Sequence, residues 1–336
     1  MKTLLRGKDL ISLDDWDLQD IRTVLEVAYD LKKEYALGRY NDQLAHKTLF
    51  MLFFEQSTRT RNSLEAGMTQ LGGHAHDLTP NKMQITHGES PRDTAKVLSR
   101  MGEAIAIRNC FYGVGNRYLN DIAEHAEIPV ISMQDDIYHP LQGLADIMTI
   151  EEYFGRDPSG LRVAVSWAYA TTHAKPLSVP QSQVLLFPRF GIDVVLAHPP
   201  EFPLQKDILE KARWNAAAGG GSLTIAESMD EAVENADVVI PKNWGGFAGF
   251  DSYTDDDEHA RLMKENLEKY KSWICTEKLF SRARHGARIM HALPADRGHE
   301  ITDELLDGEH SVIYDEAENR LHTAKSLLSL LLGGRP

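Results

Sequence analysis

The chain has few cysteines, no excess of positive charge and no long apolar run. Its two cysteines, Cys110 and Cys275, form neither a disulfide framework nor a zinc-like spacing, so we expect reduced thiols. Lys and Arg number 36 against 50 Asp and Glu, a net charge of -14 that argues against nucleic acid as a partner. Residues 1–6 and the apolar segment 327–332 predict neither a signal peptide nor a membrane span. We therefore expect a cytoplasmic protein.

The remaining composition is that of a globular α/β protein. Hydrophobic residues make up 42% and charged residues 26% of the chain. Short β-branched runs alternate with longer amphipathic segments, which is typical of parallel sheets covered by helices. The predicted strands are 48–54, 104–108, 128–132, 162–167, 193–197, 237–241 and 286–291. The predicted helices are 15–37, 61–71, 91–102, 116–125, 142–155, 177–189, 204–217, 228–235 and about 316–332.

The length and the pattern predict two domains. A chain of 336 residues can form two cores of ordinary size. The last predicted helix is apolar on more than one face and needs another domain to cover it. We therefore expect one doubly wound parallel-sheet domain from residues 1–150 plus 317–336, and a second from residues 151–316. The segments 219–221 and 255–258 are expected to be surface loops.

A polar cluster follows the first predicted strand. The apolar run 49–54 precedes Ser57, Thr58, Arg59, Thr60 and Arg61, and a helix-forming segment follows. The hydroxyl and guanidinium groups are thus predicted to lie at a helix N-terminus, where backbone N–H groups and the helix dipole attract anions. The cluster can bind a phosphate dianion, while its structural alternative is a helix cap with solvated arginines. Arg61 is expected to face away, in an ion pair.

Four further features supply polar groups at the ends of predicted elements. Arg108 ends a buried strand, at the edge where parallel sheets bind ligands. His139 and Gln142 lie three residues apart at a predicted helix start and share one face. In the segment 291–294, Pro294 removes a donor and forces a turn that leaves backbone carbonyls exposed. Arg320 is expected at the start of the last helix. Each is an ordinary structural residue when taken alone.

Together, these five features resemble the transcarbamylase family, whose shared substrate is carbamoyl phosphate. The resemblance extends over nearly the whole chain and implies an enzyme without metal or other cofactor. It implies that His139 donates to the carbonyl oxygen, that Gln142 accepts from the carbamoyl NH2 group, and that Leu293 offers a backbone carbonyl. The implied catalytic residues are Arg59, Arg108, His139 and Gln142. The implied carbamoyl-phosphate ligands are Ser57, Thr58, Arg59, Thr60, Arg108, His139, Gln142, Ala292, Leu293 and Arg320.

The acceptor is indicated by departures from the family pattern. Ornithine transcarbamylases carry Cys where this chain has Ala292, and they carry an acidic residue and a Ser-Met-Gly loop where it has Lys242, Asn243 and Trp244. The segments 166–169, 175–181 and 242–245 resemble the knotted branch, which includes N-acetylornithine and N-succinylornithine transcarbamylases and homologues of unassigned acceptor. The acylornithine enzymes carry Arg and Lys where this chain has Asp296 and Glu300, so the resemblance is greatest to the homologues of unassigned acceptor. That branch implies a trefoil knot in the second domain. The acceptor candidates are Trp167, Lys175, Trp244 and Asp296, with packing as the alternative for both tryptophans.

The segment 84–90 resembles the loop that crosses into a neighbouring subunit's active site. The resemblance implies a homotrimer with shared sites, to which Lys82, Gln84 and His87 would contribute in trans. The expected function is transfer of the carbamoyl group of carbamoyl phosphate to an amine of an amino acid or related acceptor. The alternatives are ornithine carbamoyltransferase proper and a carbamoyl-phosphate-binding protein without transferase activity. A dinucleotide-binding site has only Gly113-Val114-Gly115 in its favour, and this segment lacks the third glycine.

Overall fold

A computed structural model describes residues 5–171, 175–245 and 257–333. The chain divides into two compact units, one formed by Met1–Ala145 with Glu318–Pro336 and the other by Asp146–Ala317. The boundaries fall inside the two helices Pro140–Phe154 and Ile313–Leu328. Each unit contains one parallel sheet.

The first unit is built on a four-stranded sheet in the order β2-β1-β3-β4. Strands β1, β3 and β4 are apolar and almost fully buried, as expected for a parallel sheet covered on both faces. The strands are β1 (Thr48–Phe53), β2 (His74–Leu78), β3 (Ala104–Asn109) and β4 (Val130–Asp135), and the helices are α1 (Leu18–Ala36), α2 (Arg59–Gln70), α3 (Pro91–Leu98), α4 (Gly115–His125) and α5 (Pro140–Phe154).

The second unit is built on a five-stranded sheet in the order β7-β6-β5-β8-β9. Its strands are β5 (Arg162–Trp167), β6 (Asp193–Ala197), β7 (Ser222–Ala226), β8 (Val238–Lys242) and β9 (Arg288–Ile289). Its helices are α6 (Ser178–Leu186), α7 (Lys206–Gly219), α8 (Met229–Val233), α9 (Asp257–Lys269), α10 (Glu277–Phe280), α11 (Asp303–Leu306) and α12 (Ile313–Leu328), the last of which continues into the first unit.

In each sheet, the strand that comes first in the chain lies between two strands that come later in the chain. Strand β1 pairs with β2 on one side and β3 on the other, and β5 pairs with β6 and β8 in the same way. At such a switch point the connections leave in opposite directions and open a crevice at the carboxyl ends of the strands. The carboxyl ends of β1 and β3, and of β5 and β8, are therefore the expected ligand sites of the two units.

The fold class is confirmed as two parallel-sheet α/β units. The strands β2 and β7 were not predicted, because both are partly exposed edge strands without a continuous apolar run. The segment 219–221 is more than a surface loop. A Cβ atom on Gly219 would lie 2.5 Å from the Cα of Arg189, and one on Gly221 would lie 2.3 Å from the Ile192 carbonyl oxygen.

Two expectations concern parts of the chain that the structure describes incompletely. Residues 172–174 and 246–256 lie outside the described residues, so the trefoil knot stays a prediction. The same holds for Asp255 and Asp256 of the predicted acidic loop, whereas Asp257 begins α9. Among the helices of the described ranges, none combines the length and the apolar character needed to cross a membrane.

Candidate functional site

Polar groups meet at the switch point of the first sheet. Phe53 of β1 pairs with Arg108 of β3, so the segment after β1 and the Arg108 side chain share one edge. Thr58 is the residue before the first turn of α2, and Arg59 begins this helix. The predicted anion cluster thus lies at a helix N-terminus beside the strand-end arginine, where backbone N–H groups and a positive side chain reinforce each other.

Arg320 links the cluster to the start of α5. Its Nη1 donates to Oε1 of Gln142 over 2.6 Å, and its Nη2 donates to Oγ1 of Thr60 over 2.6 Å. All three side chains are at least 98% buried. Arg320 lies two turns inside α12 rather than at a helix start, so this part of the prediction was wrong. The planar fork of the guanidinium fixes two residues from separate parts of the sequence at once.

His139 stands next to three arginines. Burial, followed by the positive charges of Arg320, Arg108 and Arg59, holds the pKa of His139 well below its usual range. The imidazole is therefore neutral near pH 7 and can donate one N–H hydrogen bond without being a strong acid. Three guanidinium groups around a neutral histidine make a site that is electrostatically complementary to a small dianion.

Two residues that sequence reasoning missed support Arg108. Its Nη1 donates to Oε1 of Gln134, which lies at the neighbouring position of β4. Its Nε lies 3.9 Å from a carboxylate oxygen of Glu55, whose other oxygen accepts from the Cys110 N–H over 2.9 Å. Burial raises the pKa of Glu55. The position of Gln134, five residues before His139, gave no sequence signal because its partner is on another strand.

The turn that carries His139 is fixed by another residue that sequence reasoning missed, Asp135. Oδ1 of Asp135 accepts from the N–H groups of Ile137 and Tyr138 over 2.8 and 2.7 Å, and Oδ2 accepts from the Ser132 hydroxyl. Burial raises the pKa of Asp135 to about 7. The adjacent Asp136 accepts from the N–H groups of Gly113 and Asn116 around the start of α4. These two carboxylates set the backbone that leads to His139.

The other residues predicted for the donor site take different positions. Arg61 forms an ion pair with Asp77 and lies over the Phe53 ring, so it faces away as expected. Lys82, Gln84 and His87 are exposed on two short 3-10 helices, Pro80–Lys82 and Gln84–His87. Ala292 and Leu293 belong to the second unit. Their contact with carbamoyl phosphate stays a prediction.

A second cluster lies at the switch point of the second sheet. Lys242 ends β8, and its Nζ lies 3.4 Å from Oε1 of Glu300. Nζ of Lys175 lies 3.1 Å from both Glu300 and Asp296. Burial raises the pKa of Glu300, but the positive charges of Lys242 and Lys175, together with the His291 N–H that faces the carboxylate, outweigh burial and hold this pKa well below the usual range. Glu300 is therefore ionised and compensates two lysines.

His291 connects this cluster to the turn that follows β9. Its Nδ1 accepts from the Leu293 N–H over 2.9 Å, and its Nε2 lies 3.3 Å from Glu300. Burial lowers the pKa of His291, so the ring is neutral and its single proton is on Nε2. The His291 N–H donates to Glu316 over 2.7 Å. Leu293 has a φ of 48°, and its peptide bond to Pro294 is cis.

Trp167 and Trp244 have the contacts of packing residues. Both are 0% exposed. The Trp167 indole donates to the Trp244 carbonyl oxygen and the Trp244 indole donates to the Phe202 carbonyl oxygen, each over 2.9 Å. Trp167 also stacks on Phe202 with ring centroids 4.6 Å apart. Contact of either ring with an acceptor stays a prediction, whereas Lys175 and Asp296 are partly exposed.

The neutral state of His139 makes stability depend on pH. In the unfolded chain a histidine binds a proton as the pH falls below about 6.5, whereas His139 in the fold does not. The free energy of unfolding therefore decreases as the pH falls, by about 1.4 kcal/mol per pH unit for this one histidine. We expect His139→Gln to flatten the loss of stability between about pH 6.5 and about pH 5, measured by urea unfolding. The exposed His285→Gln should keep the wild-type slope, and a wild-type slope in His139→Gln would contradict the assignment.

Comparisons with known proteins agree with this arrangement of two units. The carbamoyl-P binding domain of aspartate/ornithine carbamoyltransferase matches residues 8–152, and the Asp/Orn binding domain matches residues 174–331. The ornithine carbamoyltransferase of Methanoculleus marisnigri is 38% identical over 327 residues, 97% of each chain. The solved ornithine carbamoyltransferase of Pyrococcus furiosus is 34% identical, with a TM-score of 0.88 and 100% coverage of both chains. An acetylornithine transcarbamylase solved with acetylcitrulline is 29% identical, with a TM-score of 0.88 over 97% of this chain and 100% of that one.

The fold, the anion site and these matches define a transferase that moves a carbamoyl group. The chain belongs to the aspartate/ornithine carbamoyltransferase family. Its two units correspond in sequence range to the two matched domains, apart from the segment Glu318–Pro336 that returns to the first unit.

Proposed function

We propose that the first unit binds carbamoyl phosphate through the cluster around His139 and that the acceptor is an amino acid with a side-chain amine. The observation that carries the proposal is the convergence of Arg59, Arg108 and Arg320 on a neutral His139. Three guanidinium groups around one histidine attract an anion, and the neutral imidazole can donate to a carbonyl oxygen.

The proposed donor contacts divide the substrate into three parts. The phosphate is bound at the start of α2 by Ser57, Thr58, Arg59 and Thr60 and by the Arg320 fork. The carbonyl oxygen accepts from His139 and Arg108, which stabilise it as it becomes an oxyanion. The carbamoyl NH2 group donates to Oε1 of Gln142, whose amide oxygen has a second lone pair beyond the one used by Arg320. The carbonyl oxygen of Leu293, next to Ala292, is the second proposed acceptor for this group.

The proposed reaction needs no covalent intermediate on the protein. The neutral amine of the acceptor attacks the carbonyl carbon and forms the new C–N bond. The C–O bond to phosphate then breaks, and phosphate leaves with the bonding electron pair. The proton lost by the amine is accepted by the departing phosphate. The enzyme contributes orientation of the donor and stabilisation of the oxyanion.

The proposed acceptor contacts are Lys175 and Asp296. Their side chains are 14% and 25% exposed, and Nζ of Lys175 lies 3.1 Å from Oδ2 of Asp296. One cation beside one anion is complementary to the carboxylate and ammonium groups of an amino acid. Glu300 pairs with Lys242 and compensates its positive charge. Lys242 therefore does not repel the ammonium group of an acceptor as an unpaired lysine would.

Ornithine is the first acceptor to test. Eight relatives, 35–39% identical over 97–99% of the chain, are named ornithine carbamoyltransferase. Two departures argue against ornithine as the acceptor. Ala292 replaces the Cys of ornithine transcarbamylases, and the segment 242–245 replaces their acidic residue and Ser-Met-Gly loop. N-acetylornithine and N-succinylornithine are therefore the second choice.

A panel assay tests the proposed function. The purified protein is incubated with carbamoyl phosphate and ornithine, N-acetylornithine, N-succinylornithine, aspartate or a simple diamine, and both phosphate and ureido product are measured. We expect product with an amino acid that carries a side-chain amine. Carbamoyl phosphate binding by calorimetry without product from any amine would support a binding protein, and absence of binding would refute the site itself.

We also propose that the enzyme is a cytoplasmic homotrimer. Lys82, Gln84 and His87 are exposed on the first unit, as residues that act in a neighbouring subunit would be before assembly. Light scattering gives the oligomeric state. Mixing inactive His87→Ala with inactive Arg59→Ala protein should restore part of the activity if the sites are shared, since some mixed sites receive neither substitution.

A further inference from the structure

Glu300 is the centre of the second cluster, although it follows the predicted motif by six residues and belongs to no helix or strand. Its carboxylate is 0% exposed. Oε1 accepts from the Asn243 N–H over 2.6 Å, and Oε2 accepts from the Asp296 N–H over 2.6 Å. Lys175, Lys242 and His291 surround the same two oxygens at 3.1, 3.4 and 3.3 Å.

These contacts join three separate segments of the second unit. Lys242 ends β8 and Asn243 follows it, Lys175 follows β5, and His291 with Asp296 follow β9. All come from the carboxyl ends of neighbouring strands. A carboxylate with two backbone donors, the Lys242 ammonium group and two further nitrogen atoms at 3.1 and 3.3 Å has its lone pairs satisfied, so it has little capacity left for a substrate. Glu300 instead holds the residues that surround it in position.

Two of those groups are the exposed members of the cluster. Lys175 is held by Glu300 on one side and faces Asp296 on the other. The backbone of Asp296 is itself fixed by the bond from its N–H to Glu300. Without Glu300, Lys175 would keep Asp296 but lose one of the two carboxylates that hold its ammonium group at 3.1 Å, and Lys242 would lose the carboxylate at 3.4 Å.

We propose that Glu300 is a positioning residue that holds Lys175 and Asp296 in the arrangement that binds the acceptor amino acid. This inference rests on the proposed function, because it assigns the pair to the acceptor.

Steady-state kinetics of Glu300→Gln test the positioning role. The amide keeps the shape but has one acceptor oxygen for two backbone donors and no charge for two lysines. We expect the KM for the acceptor to rise at least about tenfold, while carbamoyl phosphate binds the first unit within about twofold of wild type by calorimetry. Glu304→Gln, on an exposed position of α11, is the matched control and should leave both constants unchanged. Glu300→Asp retains the charge, so its KM for the acceptor should lie between those of Glu304→Gln and Glu300→Gln.

An equal loss of donor binding and acceptor binding in Glu300→Gln would indicate a merely structural residue and overturn the proposal. So would an acceptor KM that stays at the wild-type value. These outcomes are distinct from failure of the proposed function, in which the wild-type protein makes no product with any amine.

A double-mutant cycle tests the contacts of Glu300 without turnover. Glu300→Gln leaves Lys242 buried without its anion, and Lys242→Met removes that uncompensated charge. We expect the double variant to unfold at least about 3 °C above Glu300→Gln alone. Thermal shifts that simply add would show that Glu300 does not compensate Lys242 and would overturn the proposal whether or not the enzyme turns over.

Discussion

Replacement of Arg320 by Lys is expected to lower kcat/KM by about a thousandfold, or about 4 kcal/mol. Lysine keeps the positive charge but not the fork, so it cannot donate to Gln142 and Thr60 at the same time. Both acceptors are buried and would lose a charged partner. The loss should appear in carbamoyl phosphate binding as well as in kcat, because the fork orients one residue at the phosphate and one at the carbamoyl group.

The control for this substitution is Arg261→Lys. Arg261 is exposed on α9 and pairs with Glu265 one turn away, so the change should have no measurable effect on activity. Calorimetry with carbamoyl phosphate separates binding from catalysis. Activity within about threefold of wild type in Arg320→Lys would mean that charge alone is sufficient and that the fork geometry has no role.

Replacement of Gly115 by Ala is expected to destabilise the first unit by about 3 kcal/mol or more. An added Cβ would lie 1.9 Å from the Asn109 carbonyl oxygen and 3.0 Å from Oδ1 of Asp136. The carbonyl belongs to the end of β3, one residue beyond Arg108, so relief of the clash requires a shift of the strand end or of α4. We expect weaker carbamoyl phosphate binding together with a lower midpoint of urea unfolding.

Gly38→Ala separates this clash from the ordinary cost of replacing glycine. Gly38 has a φ of 67° and no heavy atom within 4 Å of the added Cβ, so only backbone strain of about 1–2 kcal/mol applies. Equal midpoints for the two variants would show that β3 and α4 accommodate the methyl group. The close approach thus gives a structural reason for Gly115, and a φ of 68° gives one for Gly113, without a dinucleotide.

The positions of the residues proposed to bind the donor were largely predictable, because these residues follow buried strands or lie near helix starts. Arg108 could be placed from the apolar run before it, and Thr58 and Arg59 from the change of periodicity at the start of α2. The supporting residues could not be placed in this way. Gln134 contacts Arg108 only through the register between β3 and β4, and Asp135 acts through a turn whose hydrogen bonds leave no periodic pattern.

The acceptor side was predicted less completely, for a related reason. Lys175 and Asp296 were singled out, but their common partner Glu300 is separated from Lys175 by 125 positions and from Lys242 by 58. Contacts of that span depend on the strand order, which sequence alone did not provide. Burial of Trp167 and Trp244 also follows from tertiary packing, since an indole has an apolar body and one polar N–H group.

The discontinuity of the first unit has a consequence for biosynthesis. Thr60 and Gln142 leave the ribosome before the whole of Asp146–Ala317, and their shared partner Arg320 leaves after it. At bacterial and eukaryotic translation rates this interval is roughly 10 to 35 s. A nascent chain therefore cannot close the fork until the second unit has been synthesised. The site proposed for carbamoyl phosphate is therefore complete only after Arg320 has emerged, when the whole of Asp146–Ala317 has already been synthesised.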